Sequence, residues 1–91
     1  MATGDKVKKR SIGMALGDMI REKRLKEHWT QAQMATLIRS IYRVKISSTV
    51  ISRYEVGTSN IKLDNLLIIA QFLDIDLNRL AKIAAETHKK Y

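Results

Sequence analysis

The chain has no cysteine, no proline, only four glycines and five aromatic side chains. Without cysteine there is no disulfide frame, no thiolate nucleophile and no cysteine-based zinc site, and a reducing, cytoplasmic setting is expected. Only His28 and His88 could offer imidazole to a metal, and neither metal nor cofactor is expected. The uncharged run Asn65 to Leu73 is far short of the ~20 residues that cross a bilayer. The charged N-terminus is followed by no apolar leader segment. Neither a membrane span nor secretion is therefore expected. HExxH, GxSxG and glycine-rich phosphate loops are also missing, which points away from an enzyme and from a small-molecule substrate.

What remains is enough for one small folded domain. Hydrophobic residues make up 45% of the 91, too many for a disordered basic tail, and a chain this short buries about 60 to 65% of its unfolded surface. The 17 Lys and Arg oppose only 9 Asp and Glu. The imbalance is local: residues 1–62 carry 13 basic and 5 acidic side chains, and residues 63–91 carry 4 of each. All of the +8 net charge therefore lies in the first two-thirds, which suggests a polyanion partner, chiefly nucleic acid. A merely soluble basic domain is the plain alternative. A membrane surface would need a basic amphipathic helix free of the core, and no helix here is free.

Apolar spacing predicts five helices. Residues 1–11 hold Lys6, Lys8, Lys9 and Arg10 without an apolar stripe and read as a basic arm, able to follow phosphates or enter a minor groove. A poorly ordered terminus is the simpler reading of that arm. Ser11 is a candidate cap for the first helix, whose stripe is Ile12, Leu16, Met19 and Ile20 and which runs to His28. Gly13 and Gly17 weaken its first turns, so a start nearer Leu16 is expected. Thr30 caps the second helix, with Met34, Ala35, Leu37 and Ile38 inward. Ser47 caps the third, with Val50, Ile51 and Tyr54 inward and Gly57 as its stop. The fourth begins near Asp64 and is apolar nearly all round, as a central core helix would be. Asp76 caps the fifth, on Leu77, Leu80, Ile83 and Ala84. The domain is expected over 12–85, with a tail over 86–91.

Four segments in order resemble the lambda-repressor/Cro-type helix-turn-helix regulators, the XRE family, over about Leu16 to Leu80. Leu16-Gly17-Asp18-Met19-Ile20-Arg21-Glu22-Lys23-Arg24 and Thr30-Gln31-Ala32-Gln33-Met34-Ala35 look like the first two helices of the family. Val50-Ile51-Ser52-Arg53-Tyr54-Glu55-Val56-Gly57 is similar to the end of its recognition helix, and Leu66-Leu67-Ile68-Ile69-Ala70-Gln71-Phe72-Leu73 to its fourth helix. The resemblance implies an all-α, compact five-helix DNA-binding domain. There are two departures. Thr30 to Ser52 is several residues longer than the family's spacing, so the connection between helices 2 and 3 is lengthened, and Ile61 replaces the proline usual before helix 4. The β-branched residues at 44–46 favour an extended connection; otherwise helix 2 runs on and sets Arg39 and Arg43 on one face.

Carried onto these positions, the resemblance implies that Ser47, Ser48, Thr49 and Arg53 face bases in the major groove, and that Gln31, with Thr30, meets a phosphate at a helix N-terminus. Arg53 has the fork that pairs with guanine O6 and N7, while Ser and Thr make adaptable contacts. A pairing of Arg53 with a nearby carboxylate or phosphate is the alternative. Arg39, Arg43, Lys45 and Lys62 are candidate phosphate contacts, or, for the first three, parts of a solvated loop. Arg24 and Glu55 are implied to form a scaffold ion pair. Trp29 is expected to pack rather than stack on bases, and His28 to end helix 1.

The partners expected are double-stranded DNA and a second copy of the chain, joined through helices 4 and 5, whose segment is electrically neutral. The reading is a sequence-specific transcriptional regulator, a repressor occupying an inverted-repeat operator. An antitoxin or a restriction-modification controller would share the fold, and a protein-interaction module without DNA binding is a reading of another class.

Overall fold

The computed structural model describes residues 12–58 and 60–87. The arm lysines Lys6, Lys8 and Lys9, Arg10, Ser11 as a cap, and His88 lie outside the described residues. Those residues form five α-helices and no strand: α1 Ile12–Lys26, α2 Gln31–Tyr42, α3 Ser48–Val56, α4 Leu63–Leu73 and α5 Leu77–Thr87.

The apolar stripes account for the packing. Leu16, Met19 and Ile20 of α1, Met34, Ala35 and Ile38 of α2, Ile51 and Tyr54 of α3, Ile69, Ala70 and Leu73 of α4, and Leu80 of α5 meet in one core. α1 lies against α3, α4 and α5, and α2 lies against α3 and α4. Burying a large aliphatic side chain stabilises by ~1.5 to 3 kcal/mol relative to leaving it in water, so this shared core dominates the fold.

α1 starts at Ile12 and not near Leu16, and Gly17 explains the difference. An ideal Cβ there would stand 2.5 Å from the Tyr54 carbonyl oxygen and closer still to that of Glu55. The glycine lets α1 press its backbone against the end of α3, and that contact outweighs its weak helix propensity. α4 also departs from expectation. It is not wrapped by protein: Leu63 and Leu67 are 67% and 46% exposed, and only Ile69, Ala70 and Leu73 are fully inside. Its apolar outer face is left uncovered.

Four helix ends use a left-handed residue, yet only Gly57 is a glycine. His28, Arg43 and Asp74 adopt φ values of 62°, 55° and 57°. Behind them the amides of Trp29, Thr58 and Ile75 return to carbonyls five residues earlier, on Arg24, Arg53 and Ala70, which satisfies the last acceptors of α1, α3 and α4. At the opposite ends, the Thr30 and Gln33 side chains and amides form a reciprocal capping box on α2, and the Asp76 carboxylate accepts from the Asn78 amide at 2.9 Å.

The lengthened connection is non-helical over residues 43–47 and reaches an extended backbone at Ser47. α2 stops at Tyr42, where the amide of left-handed Arg43 returns to the Arg39 carbonyl at 2.9 Å. Arg39 and Arg43 therefore do not share a helical face. Over 43–46 the side chains alternate. Arg43 and Lys45 face solvent, Val44 is half-buried and Ile46 is wholly inside, as a period of two requires.

Candidate nucleic-acid interface

α3 is the shortest of the five helices and is held on three sides. Its first turn is closed by the Ser47 hydroxyl, which accepts from the Val50 amide at 3.2 Å, leaving the hydroxyl proton able to donate outward. Ile51 and Tyr54 fix its inner side, and the Asn65 side-chain amide of α4 donates to the Tyr54 hydroxyl at 2.9 Å. Thr49, Arg53 and Val56, spaced by four and three residues, form the outer side. Ser48 and Ser52 flank it, half-buried.

The charge on that face follows from where Glu55 points. It is the only carboxylate on α3, and its side chain is 3% exposed. Arg24 donates to it through Nε at 2.6 Å and Nη2 at 3.0 Å, and Gln31 donates through Nε2 at 3.0 Å. Arg24 Nη1 also donates to the Trp29 carbonyl at 2.8 Å, so one guanidinium joins α1, the turn before α2, and α3. The hydrogen bond to Glu55 holds the Arg24 guanidinium above its ordinary pKa, and the charge attraction adds to this, against the opposing effect of burial. The negative charge of α3 is thus turned inward and matched. Arg53 stands outward, and among the described residues it forms no ion pair.

The other sequence candidates fall into two groups. Gln31 and Thr30 are occupied by their neighbours: the Gln31 side chain supports Glu55, and Thr30 is engaged in the capping box with Gln33. What the start of α2 still presents is its first backbone amides, those of Gln31 and Ala32, which a helix cannot satisfy internally. Arg39 is turned back onto the protein, with Nη1 donating to the Ile46 carbonyl at 2.9 Å and Nη2 to the Thr36 hydroxyl at 3.3 Å. Arg43, Lys45 and Lys62 are exposed. Lys45 and Lys62 line a groove of about 550 Å³ between the connection and α4, together with Asp64 and Asn65. Lys62 also begins α4 without a side-chain cap. Val56, seven residues after Thr49, is exposed on the same outer line of α3.

Trp29 packs, as expected. Its ring stacks on Phe72 with centroids 5.2 Å apart, and Tyr42 meets the same ring edge-on at 6.4 Å. Phe72 of α4 thereby holds both ends of α2. Among the described residues no cluster of three metal-ligating side chains occurs, and no helix is long and apolar enough to cross a membrane.

This arrangement, a capped helix with a cationic outer face supported by the N-terminus of the helix before it, is how a small helical protein reaches base edges. The helix-turn-helix family model matches residues 20–80, two-thirds of the chain. The chain belongs to that family. It is a DNA-binding regulator of the lambda-repressor/Cro, or XRE, type. Searches of curated proteins and of solved structures returned no match. Within the helix-turn-helix family, α2 and α3 are the motif, and the non-helical 43–47 segment stands where the family has a shorter turn.

Proposed function

We propose that this helix-turn-helix protein is a repressor that occupies an inverted-repeat operator as a homodimer, with α3 in the major groove. The observation that carries the reading is the outer line of α3: Thr49 and Arg53 exposed, Glu55 turned in and neutralised. Arg53 is assigned to a guanine edge, and Ser47, Ser48 and Thr49 to adjacent bases. The first amides of α2 take a phosphate, flanked by Arg43, Lys45 and Lys62. The uncovered apolar residues Leu63 and Leu67 of α4 and Leu77 of α5 support pairing with a second copy, because the segment they occupy carries no net charge. Two-fold pairing would set the recognition helices about 34 Å apart, one turn of DNA.

Selection from a random duplex pool tests this reading. It is expected to return a two-fold symmetric motif. Arg53→Ala relaxes one position per half-site, a loss of ~1 to 3 kcal/mol of discrimination, whereas Lys62→Ala weakens all sequences alike. A motif unchanged by Arg53→Ala removes its assigned role. A salt titration on random duplex separates this reading from a protein-interaction module, since each neutralised phosphate contributes about −0.9 to the slope of log K against log salt.

A further inference from the structure

The lengthened connection runs from the end of α2 straight into the start of α3, beside the direct packing of the two helices, and it is where this chain departs from its family's spacing. Ile46 ends that segment. Its side chain has no exposed surface, and the next residue, Ser47, caps α3. The Ile46 carbonyl accepts from Arg39 Nη1 at 2.9 Å, and the same guanidinium is steadied from the other side by the Thr36 hydroxyl, one turn back on α2. The Arg39 carbonyl in turn receives the Arg43 amide that closes α2. Arg39 thus grips the connection at both of its ends, by its backbone at residue 43 and by its side chain at residue 46.

We infer that Arg39 is a positioning residue for base recognition rather than a phosphate contact: it fixes the height and tilt of the α3 N-terminus against α2. This rests on the proposed DNA reading for its consequence, but its structural half stands without DNA. A guanidinium suits the task because two donors in one plane reach two acceptors at once, which a lysine ammonium on a flexible stem does not reproduce. A displacement of Ser47 moves Ser48 and Thr49 directly, so the loss falls on specific binding. Attraction to any duplex is left nearly as it was.

The test uses the full chain and has two arms. Without DNA, amide hydrogen exchange at Val50 and Ile51, whose N–H groups bond to Ser47, is expected to be about tenfold faster in Arg39→Ala, with the core amide of Ile20 unchanged. With DNA, the probes are the duplex selected by the wild-type protein and a random-sequence duplex. Arg39→Ala lowers the ratio of the two affinities about tenfold and leaves the salt slope on random duplex unchanged. Arg39→Lys, which keeps the charge, behaves in the same way. Lys45→Ala does the reverse, reducing the slope by about 0.9 while keeping the ratio. If Arg39→Ala weakens both duplexes equally and takes about 0.9 from the slope, or if Arg39→Lys restores the ratio in full, the assignment is overturned in favour of a phosphate contact. Unchanged exchange at Val50 and Ile51 overturns it whatever the DNA result. If the wild-type protein selects no motif, the proposed operator reading fails, and the exchange arm alone decides the role of Arg39.

Discussion

Removing Arg24 tests how the helix-turn-helix is held together. In Arg24→Ala the Glu55 carboxylate, 3% exposed, keeps only the Gln31 amide, and the Trp29 carbonyl loses its donor as well. Breaking one side of a buried pair costs ~3 to 5 kcal/mol, because the remaining charge stays out of water without a partner. A chain of this size has about 5 to 14 kcal/mol of total stability, so the single change removes a large share of it. At ~4 °C or more per kcal/mol, the thermal midpoint followed by far-ultraviolet circular dichroism should fall by roughly 12 °C or more. Lys23→Ala, one residue away and outside the pair, should change stability by ~0.5 kcal/mol. The double variant Arg24→Leu with Glu55→Leu should recover more than half of the loss, since apolar replacement of a buried pair is often neutral. Equal shifts for Arg24→Ala and Lys23→Ala would refute the reasoning, as would a double variant no better than the sum of its parts.

The other two stability changes act on the backbone. Gly17→Ala places a methyl group against the Tyr54 and Glu55 carbonyls; overpacking of ~1 to 3 kcal/mol exceeds the ~1 kcal/mol gained in helix propensity, so the variant should melt lower. Asp74→Gly should do the opposite. It relieves a left-handed residue at a strain of ~1 to 2 kcal/mol, less the entropy of a more flexible unfolded chain, and a rise of ~0.5 to 1 kcal/mol in urea unfolding is expected.

Much of this arrangement is written in residue spacing. The inward positions of α1, α2 and α3 follow from three- and four-residue intervals, and Thr30 and Ser47 announce their helices because a hydroxyl just ahead of an apolar stripe satisfies a free amide. The Arg24 and Glu55 contact is not visible in spacing, since thirty-one residues separate them; only the family pattern suggested it. Other features leave no pattern at all. Arg39 bonds to a backbone carbonyl, and every residue has one, so no partner residue type betrays the contact. The left-handed ends at His28, Arg43 and Asp74 lack the glycine that would mark them. Gly17 misled in the other direction, because a glycine that weakens a helix and one that admits a neighbouring backbone are the same letter. The apolar run of α4 hides its outer face, because a periodicity with no polar side cannot say which flank is covered.

The non-helical stretch from Arg43 to Ile46 imposes an arithmetic on any change in its length. Its side chains alternate between solvent and interior, so adding or deleting a single residue exchanges the two rows and drives a cation toward the space Ile46 fills. Changes made two residues at a time preserve the rows and shift only the reach of the span. A linker of this kind can lengthen or shorten by even steps alone, whereas a helical extension would turn its side chains by about 100° with each added residue.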